Sequence, residues 1–143
     1  MENIVKTQAI AKSDVITMLK ERDITPTQQR VEIAQILFAK PQHLSADQVL
    51  AIVNAEGAVA SKATIYNTLG LFAKKGLVRE VIVDPTKVFY DSNINNHHHF
   101  FDMDNGELID IANDHIELGK LPALPDGTVA EGVDVIIRIR KSD

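Results

Sequence analysis

Ser61-Lys62-Ala63-Thr64-Ile65-Tyr66-Asn67-Thr68-Leu69-Gly70-Leu71-Phe72-Ala73-Lys74-Lys75-Gly76 is the stretch that decides the fold. Ile65, Leu69 and Phe72 fall at i, i+4 and i+7, the spacing of one buried helical face. Ser61 stands where a side-chain cap is expected, and Gly76 where the helix should end. Two β-rich runs follow, residues 77–83 and 87–91, with Asp84-Pro85-Thr86 between them as a hairpin turn.

Upstream, residues 12–22 read as a helix with Val15, Ile16, Met18 and Leu19 on its buried stripe. Thr25-Pro26 reads as a restart, with Thr25 as cap and Pro26 in the first helical position, and this second helix stops before Pro41. Ser45-Ala46-Asp47-Gln48 is a capping-box pattern that opens a third helix running to about Gly57. Short helices followed by a two-stranded wing are the layout of a winged helix-turn-helix domain.

Beyond residue 91 the pattern changes. Residues 97–102 read as a strand, Asp104-Asn105-Gly106 as a tight turn and 107–111 as the returning strand. Residues 114–119 suit one or two helical turns, and 121–127 a loop. In the last strand Val133, Val135, Ile137 and Ile139 alternate with their neighbours. The expected fold class is α/β in the broad, α+β sense. A winged-helix DNA-binding domain occupies 1–91, and a small α/β dimerisation and metal-sensing domain 92–143. So few short strands bury little core alone, so a second copy of the chain is the expected cover.

Charge is also unevenly spread along the chain. Residues 1–80 carry ten Lys/Arg and eight Asp/Glu, hence +2, whereas residues 81–143 carry five and twelve, hence −7. That asymmetry suggests two halves with different partners. A hydrophobic fraction of 45% argues against disorder, and the absence of cysteine excludes disulfides and thiolate metal sites. No apolar run approaches the roughly 20 residues that span a bilayer, and Met1-Glu2-Asn3-Ile4 lacks the start of a signal peptide. No membrane association and a cytoplasmic location are therefore expected.

Two groups of residues carry candidate chemistry. In a winged helix the second helix of the turn motif meets bases with its N-terminal residues, here Ser61, Lys62, Thr64, Tyr66 and Asn67. Ser61 and Lys62 suit phosphates, Tyr66 and the Thr64 methyl suit thymine methyls, and Asn67 suits an adenine edge. Arg30 on the preceding helix is a candidate phosphate contact. The other group is His97-His98-His99. On a strand, His97 and His99 share a face and His98 points the other way, and two imidazoles on one face begin a divalent-metal site.

Taken in order and spacing, Thr25-Pro26-Thr27-Gln28-Gln29-Arg30, His43-Leu44-Ser45-Ala46-Asp47, Ala63-Thr64-Ile65-Tyr66-Asn67-Thr68-Leu69 and His97-His98-His99 resemble the Fur family of metalloregulators. Within it the iron-response (Irr) branch is the most similar, through Asn67 after the tyrosine, the aromatics after the triple His and the terminal run 133–140. The resemblance covers about residues 12–141. It implies a dimeric transcriptional regulator of iron homeostasis, a repressor or activator and not an enzyme, acting on double-stranded operator DNA. It also implies regulatory-metal ligands at His43, Asp91, His97, His99 and Asp110, a set suited to Fe²⁺, Mn²⁺ or Zn²⁺. On the sequence reading Asp91 ends the second wing strand, Asp110 lies on the strand after the histidines and His43 comes from a loop.

A second family site, for metal or haem, is matched only by His98 and Glu117. The family's structural zinc, held by four cysteines, is absent, since Asp102 and Asn105 stand where its first cysteine pair belongs. The Cys-Pro haem motif of some Irr proteins is absent too, so any haem would rest on His97–His99. The alternative within the class is a sensor of free Fe²⁺, Mn²⁺ or Zn²⁺ without haem response. The distant alternative is a small metal-dependent hydrolase, against which no nucleophile or paired acid/base stands out.

Overall fold

In the computed structural model, which describes residues 10–143, a run of short amphipathic helices comes first. The Met1–Ile4 start discussed above lies outside the described residues. The chain divides into two units, one up to Ile94 and one over Asn95–Asp143. Together they make an α+β protein.

The first unit holds helices α1 (Lys12–Glu21), α2 (Gln28–Leu37), α3 (Ala46–Val53) and α4 (Lys62–Lys74) and strands β1 (His43–Ser45), β2 (Arg79–Asp84) and β3 (Lys87–Asp91). The apolar stripes converge on one core, in which Val15, Leu19, Ile33, Leu37, Val49, Ile65, Leu69 and Phe72 are all fully buried. The strands form an antiparallel sheet in the order β1-β3-β2.

Three local expectations need correction. α2 begins at Gln28 and is capped by Thr27, whose hydroxyl accepts the Arg30 N–H at 3.3 Å. Thr25 does not cap it: the helix opens only at Gln28, two residues past Pro26, so the extended residue at its start is Thr27 (φ −101°, ψ 163°). α3 stops at Val53 with Asn54 as its C-cap, ahead of Gly57. His43 lies on a strand and not in a loop: β1 pairs His43 with Asp91 and Ser45 with Phe89, so the wing sheet has three strands.

Other expectations hold. The capping box at α3 is complete, with Ser45 Oγ accepting the Gln48 N–H and Gln48 Oε1 accepting the Ser45 N–H. At the end of α4, Gly76 sits at φ +75°, where the Leu77 N–H reaches the Phe72 carbonyl and the Gly76 N–H that of Ala73. This glycine-dependent stop releases the chain into β2.

The second unit is a three-stranded sheet in the order β5-β4-β6, with β4 (His97–Asp102) central, β5 (Leu108–Ala112) antiparallel to it and β6 (Ile136–Ile139) parallel. The β4–β5 turn closes with the Gly106 N–H on the Asp102 carbonyl at 2.8 Å. The helix expected over 114–119 reduces to one 3₁₀ turn, Asn113–His115. The regular part of the last strand starts only at Ile136. Phe101, Leu108 and Ile111 are the buried hydrophobics of this unit, alongside the three histidines. Among the described residues no helix is long and apolar enough to cross a membrane.

Candidate functional site

Along β4, His97 and His99 stand two residues apart on one face, and both are buried. Asp110 on β5 is the register partner of His99. One Asp110 oxygen, Oδ1, lies 3.3 Å from His99 Nε2 and 3.6 Å from His97 Nε2, and the two rings are 4.6 Å apart. His97 Nδ1 is 2.7 Å from the Asn95 carbonyl, which can only accept, so Nδ1 carries the proton. In its neutral form His97 would turn the Nε2 lone pair towards a carboxylate oxygen. Lone pair and carboxylate repel unless a cation is shared between them. A main-chain carbonyl on Nδ1 is also the usual partner that orients a metal-ligating imidazole.

The first unit holds a second His/Asp pair. His43 on β1 and Asp91 on β3 are direct cross-strand partners and thus share a face. Asp91 is only 2% exposed, and its Oδ1 accepts the Asn93 N–H at 2.9 Å. The His43 ring meets Phe89 edge-on, with centroids 6.4 Å apart. The pairing extends past both strand ends, where the Ser92 N–H reaches the Gln42 carbonyl at 3.1 Å. His98 is buried as well, and its Nδ1 accepts the Val135 N–H at 3.0 Å. Glu117 lies exposed in the irregular chain after the 3₁₀ turn.

α4 presents its other face to solvent. Ser61 caps it by accepting the Thr64 N–H at 3.1 Å, and Ile65, Thr68, Leu69 and Phe72 are buried. Lys62, Tyr66 and Asn67 are exposed. The Lys62 ammonium lies 5.8 Å from the Tyr66 ring centre, and the Tyr66 hydroxyl 3.5 Å from Asp47. Thr64 is half-buried with its hydroxyl on Ser61, so it offers less to a base than its position suggested. Arg30 is half-buried and donates from Nη1 to the Thr25 carbonyl at 2.9 Å.

Sequence reasoning missed the residues that aim this helix. Asn54 accepts the Val59 and Ala60 N–H groups and donates to the Ala60 carbonyl, tying down the turn before α4. Gln29 donates to the Val59 carbonyl at 2.9 Å, and Arg22 donates to the Gly76 carbonyl at the other end of α4. An Asn just after a helical stripe is a recognisable C-cap signal, so Asn54 was findable. The long-range roles of Gln29 and Arg22 carry no local signature.

Comparison with known proteins places these features. The profile of the ferric uptake regulator family matches residues 21–124. The peroxide-responsive repressor PerR of Staphylococcus saprophyticus is 31% identical over 97 residues, or 68% of this chain and 66% of that protein. The chain thus spans just under two thirds of the length of that relative. Among solved structures, the ferric uptake regulator of Vibrio cholerae has a TM-score of 0.68 at 20% identity, covering 88% of this chain and 98% of that one. The manganese-containing regulator from Pseudomonas aeruginosa has a TM-score of 0.65 at 23% identity, covering 89% and 97%. These two share the fold.

Proposed function

This chain belongs to the ferric uptake regulator family, and on that premise we propose that it is a metal-dependent DNA-binding transcriptional regulator, acting as a dimer. Its named relative is a repressor and not an enzyme, which sets the hydrolase reading aside. The observation that carries the proposal is the convergence of His97 Nε2 and His99 Nε2 on a single Asp110 oxygen, with the His97 ring oriented by the Asn95 carbonyl on Nδ1.

His43, Asp91, His99 and Asp110 each offer one ligand atom, and His97 adds a third imidazole. Nitrogen and carboxylate donors without thiolate suit Fe²⁺, Mn²⁺ or Zn²⁺. The ion supplies positive charge that neutralises two carboxylates and orders the imidazoles around them. Only residues 92–96 separate Asp91 from His97, so their Cα atoms stay within about 21 Å even with that segment fully extended. When His43 and Asp91 share one ion with His97, His99 and Asp110, the two units are held in one arrangement. In a dimer that arrangement sets the spacing of two α4 helices against two half-sites. Lys62, Tyr66 and Asn67 then read the major groove, with Ser61, Thr64 and Arg30 in supporting positions.

The finer reading as an iron-response regulator that senses haem has less to support it. His97, His98 and His99 are all buried in β4, so an axial ligand to haem would have to leave the sheet. A sensor of the free ion fits better. Selection of DNA ligands from a random duplex library, run with Mn²⁺ or Fe²⁺ and again with chelator, tests the proposal. Enrichment of a two-fold-symmetric sequence only with metal is expected. Equal enrichment in chelator would remove the metal from the account, and release of the selected DNA by haem alone would reinstate the haem reading.

A further inference from the structure

β4 carries one histidine outside the proposed ligand set, and its side chain is as deeply buried as its neighbours. His98 is 3% exposed and accepts the Val135 N–H at Nδ1, 3.0 Å away. The adjacent main chain grips the same residue, since the His99 N–H donates to the Val135 carbonyl at 3.1 Å. Val135 precedes β6, and the regular β4–β6 register begins only with His99 opposite Ile136. The imidazole therefore takes over where the ladder stops and satisfies a donor that a continued strand would have given to a main-chain carbonyl.

Chemistry limits what else this ring can do. An imidazole nitrogen that accepts an N–H carries no proton, so the proton of neutral His98 is on Nε2. Ligation at Nδ1 would displace Val135, and ligation at Nε2 would require loss of that proton while Nδ1 still accepts. His98 holds the chain or binds a metal, but not both.

We propose that His98 is a positioning residue, whose imidazole ties Val135 to β4 and so holds the strand bearing His97 and His99 in place, and that it takes neither metal nor haem itself. The positioning role rests on the reading of His97, His99 and Asp110 as ligands; the tether does not.

Nitrogen NMR on the full chain, with Zn²⁺ as the probe metal, tests both parts. In metal-free protein a coupling across the hydrogen bond between Val135 N and His98 Nδ1 is expected, with Nε2 protonated; a protonated Nδ1 would overturn the tether. On adding Zn²⁺ the His97 and His99 nitrogens should shift while those of His98 keep their protonation pattern. Ligand-type shifts at His98 would overturn the proposal, whereas no response from any of the three would fail the metal reading and leave the tether measured on its own. His98→Leu should speed Val135 amide exchange about tenfold or more, the effect of stranding a partly buried donor. The same variant should weaken Zn²⁺ binding about tenfold, as loss of an orienting partner does at metal sites. His98→Asn, whose Oδ1 can accept the same N–H, should restore both. If the leucine variant speeds exchange but binds Zn²⁺ normally, the positioning role fails while the metal reading survives. If the asparagine variant behaves like the leucine one, acceptance by the side chain is not what matters and the proposal falls.

Discussion

The two units answer the problem of burying apolar surface in opposite ways. In the first, four helices close on a core whose central side chains are wholly removed from solvent. In the second, the best-buried side chains of β4 include three imidazoles, while Ile109, Leu121, Leu124, Val129, Val133 and Ile137 are all more than 40% exposed. Residues 113–135 contain no regular element beyond one 3₁₀ turn. The first unit has an apolar core of its own, and the second carries its ligands on a sheet with few buried apolar side chains. On the proposed function, the missing burial comes from a second copy.

Core truncations should separate the units most sharply. Phe72→Ala, at a wholly buried position on α4, should cost about 3–5 kcal/mol. Ile111→Ala, at a buried position in a unit with only three buried hydrophobics, should cost less, roughly 2 kcal/mol. Chemical denaturation measures both, and equal losses would show that the second unit has a core as firm as the first. Val129→Asp, at the most exposed of the large hydrophobics (85%), should leave a monomer's stability unchanged and weaken a dimer that covers this segment. Sedimentation velocity at micromolar concentration distinguishes the two, and an unaltered dimer would place the contact elsewhere.

How far the sequence could be read follows the same contrast. α4 was legible because Ile65, Leu69 and Phe72 recur at helical spacing between a serine and a glycine, all local features. β1 was not, since His43–Ser45, running from near Pro41 into the capping box, looks like loop until β3 pairs with it. Thr27 lost out to Thr25 as the expected cap through the attraction of a proline at the first helical position. In the second unit, His97 and His99 on one face followed from strand alternation alone. The Asn95 carbonyl that orients the His97 ring, and the Val135 N–H held by His98, depend on folded contacts that no spacing encodes.

Smaller effects test the local chemistry of the first unit. Ser61→Ala removes the α4 cap and should cost about 1 kcal/mol, with DNA binding weakened through the frayed first turn; thermal melts should show it. Asn67→Ala should cost about 1–3 kcal/mol of discrimination at one base step, read from binding to single-base variants of the selected DNA. Unchanged discrimination would move base reading away from this residue. Smallest of all is the wing turn, where the Thr86 hydroxyl and amide, with Lys87, lower Asp84 to about 2. A carboxylate held low in the folded chain adds stability above its unfolded pKa and loses it as pH falls through about 2. Thr86→Val should therefore move the Asp84 midpoint, followed by NMR, back towards 3.8.

The central claim is that ligands on both units answer to one ion that governs DNA binding. The direct measurement is affinity for the selected DNA, with and without Mn²⁺, for the unaltered protein and for His43→Ala and His99→Ala side by side. The account predicts that Mn²⁺ strengthens binding by the unaltered protein and by neither variant, although one substitution lies in the winged-helix unit and the other on β4. A His43→Ala protein that keeps the full response while His99→Ala loses it would confine the ion to the second unit and contradict the claim.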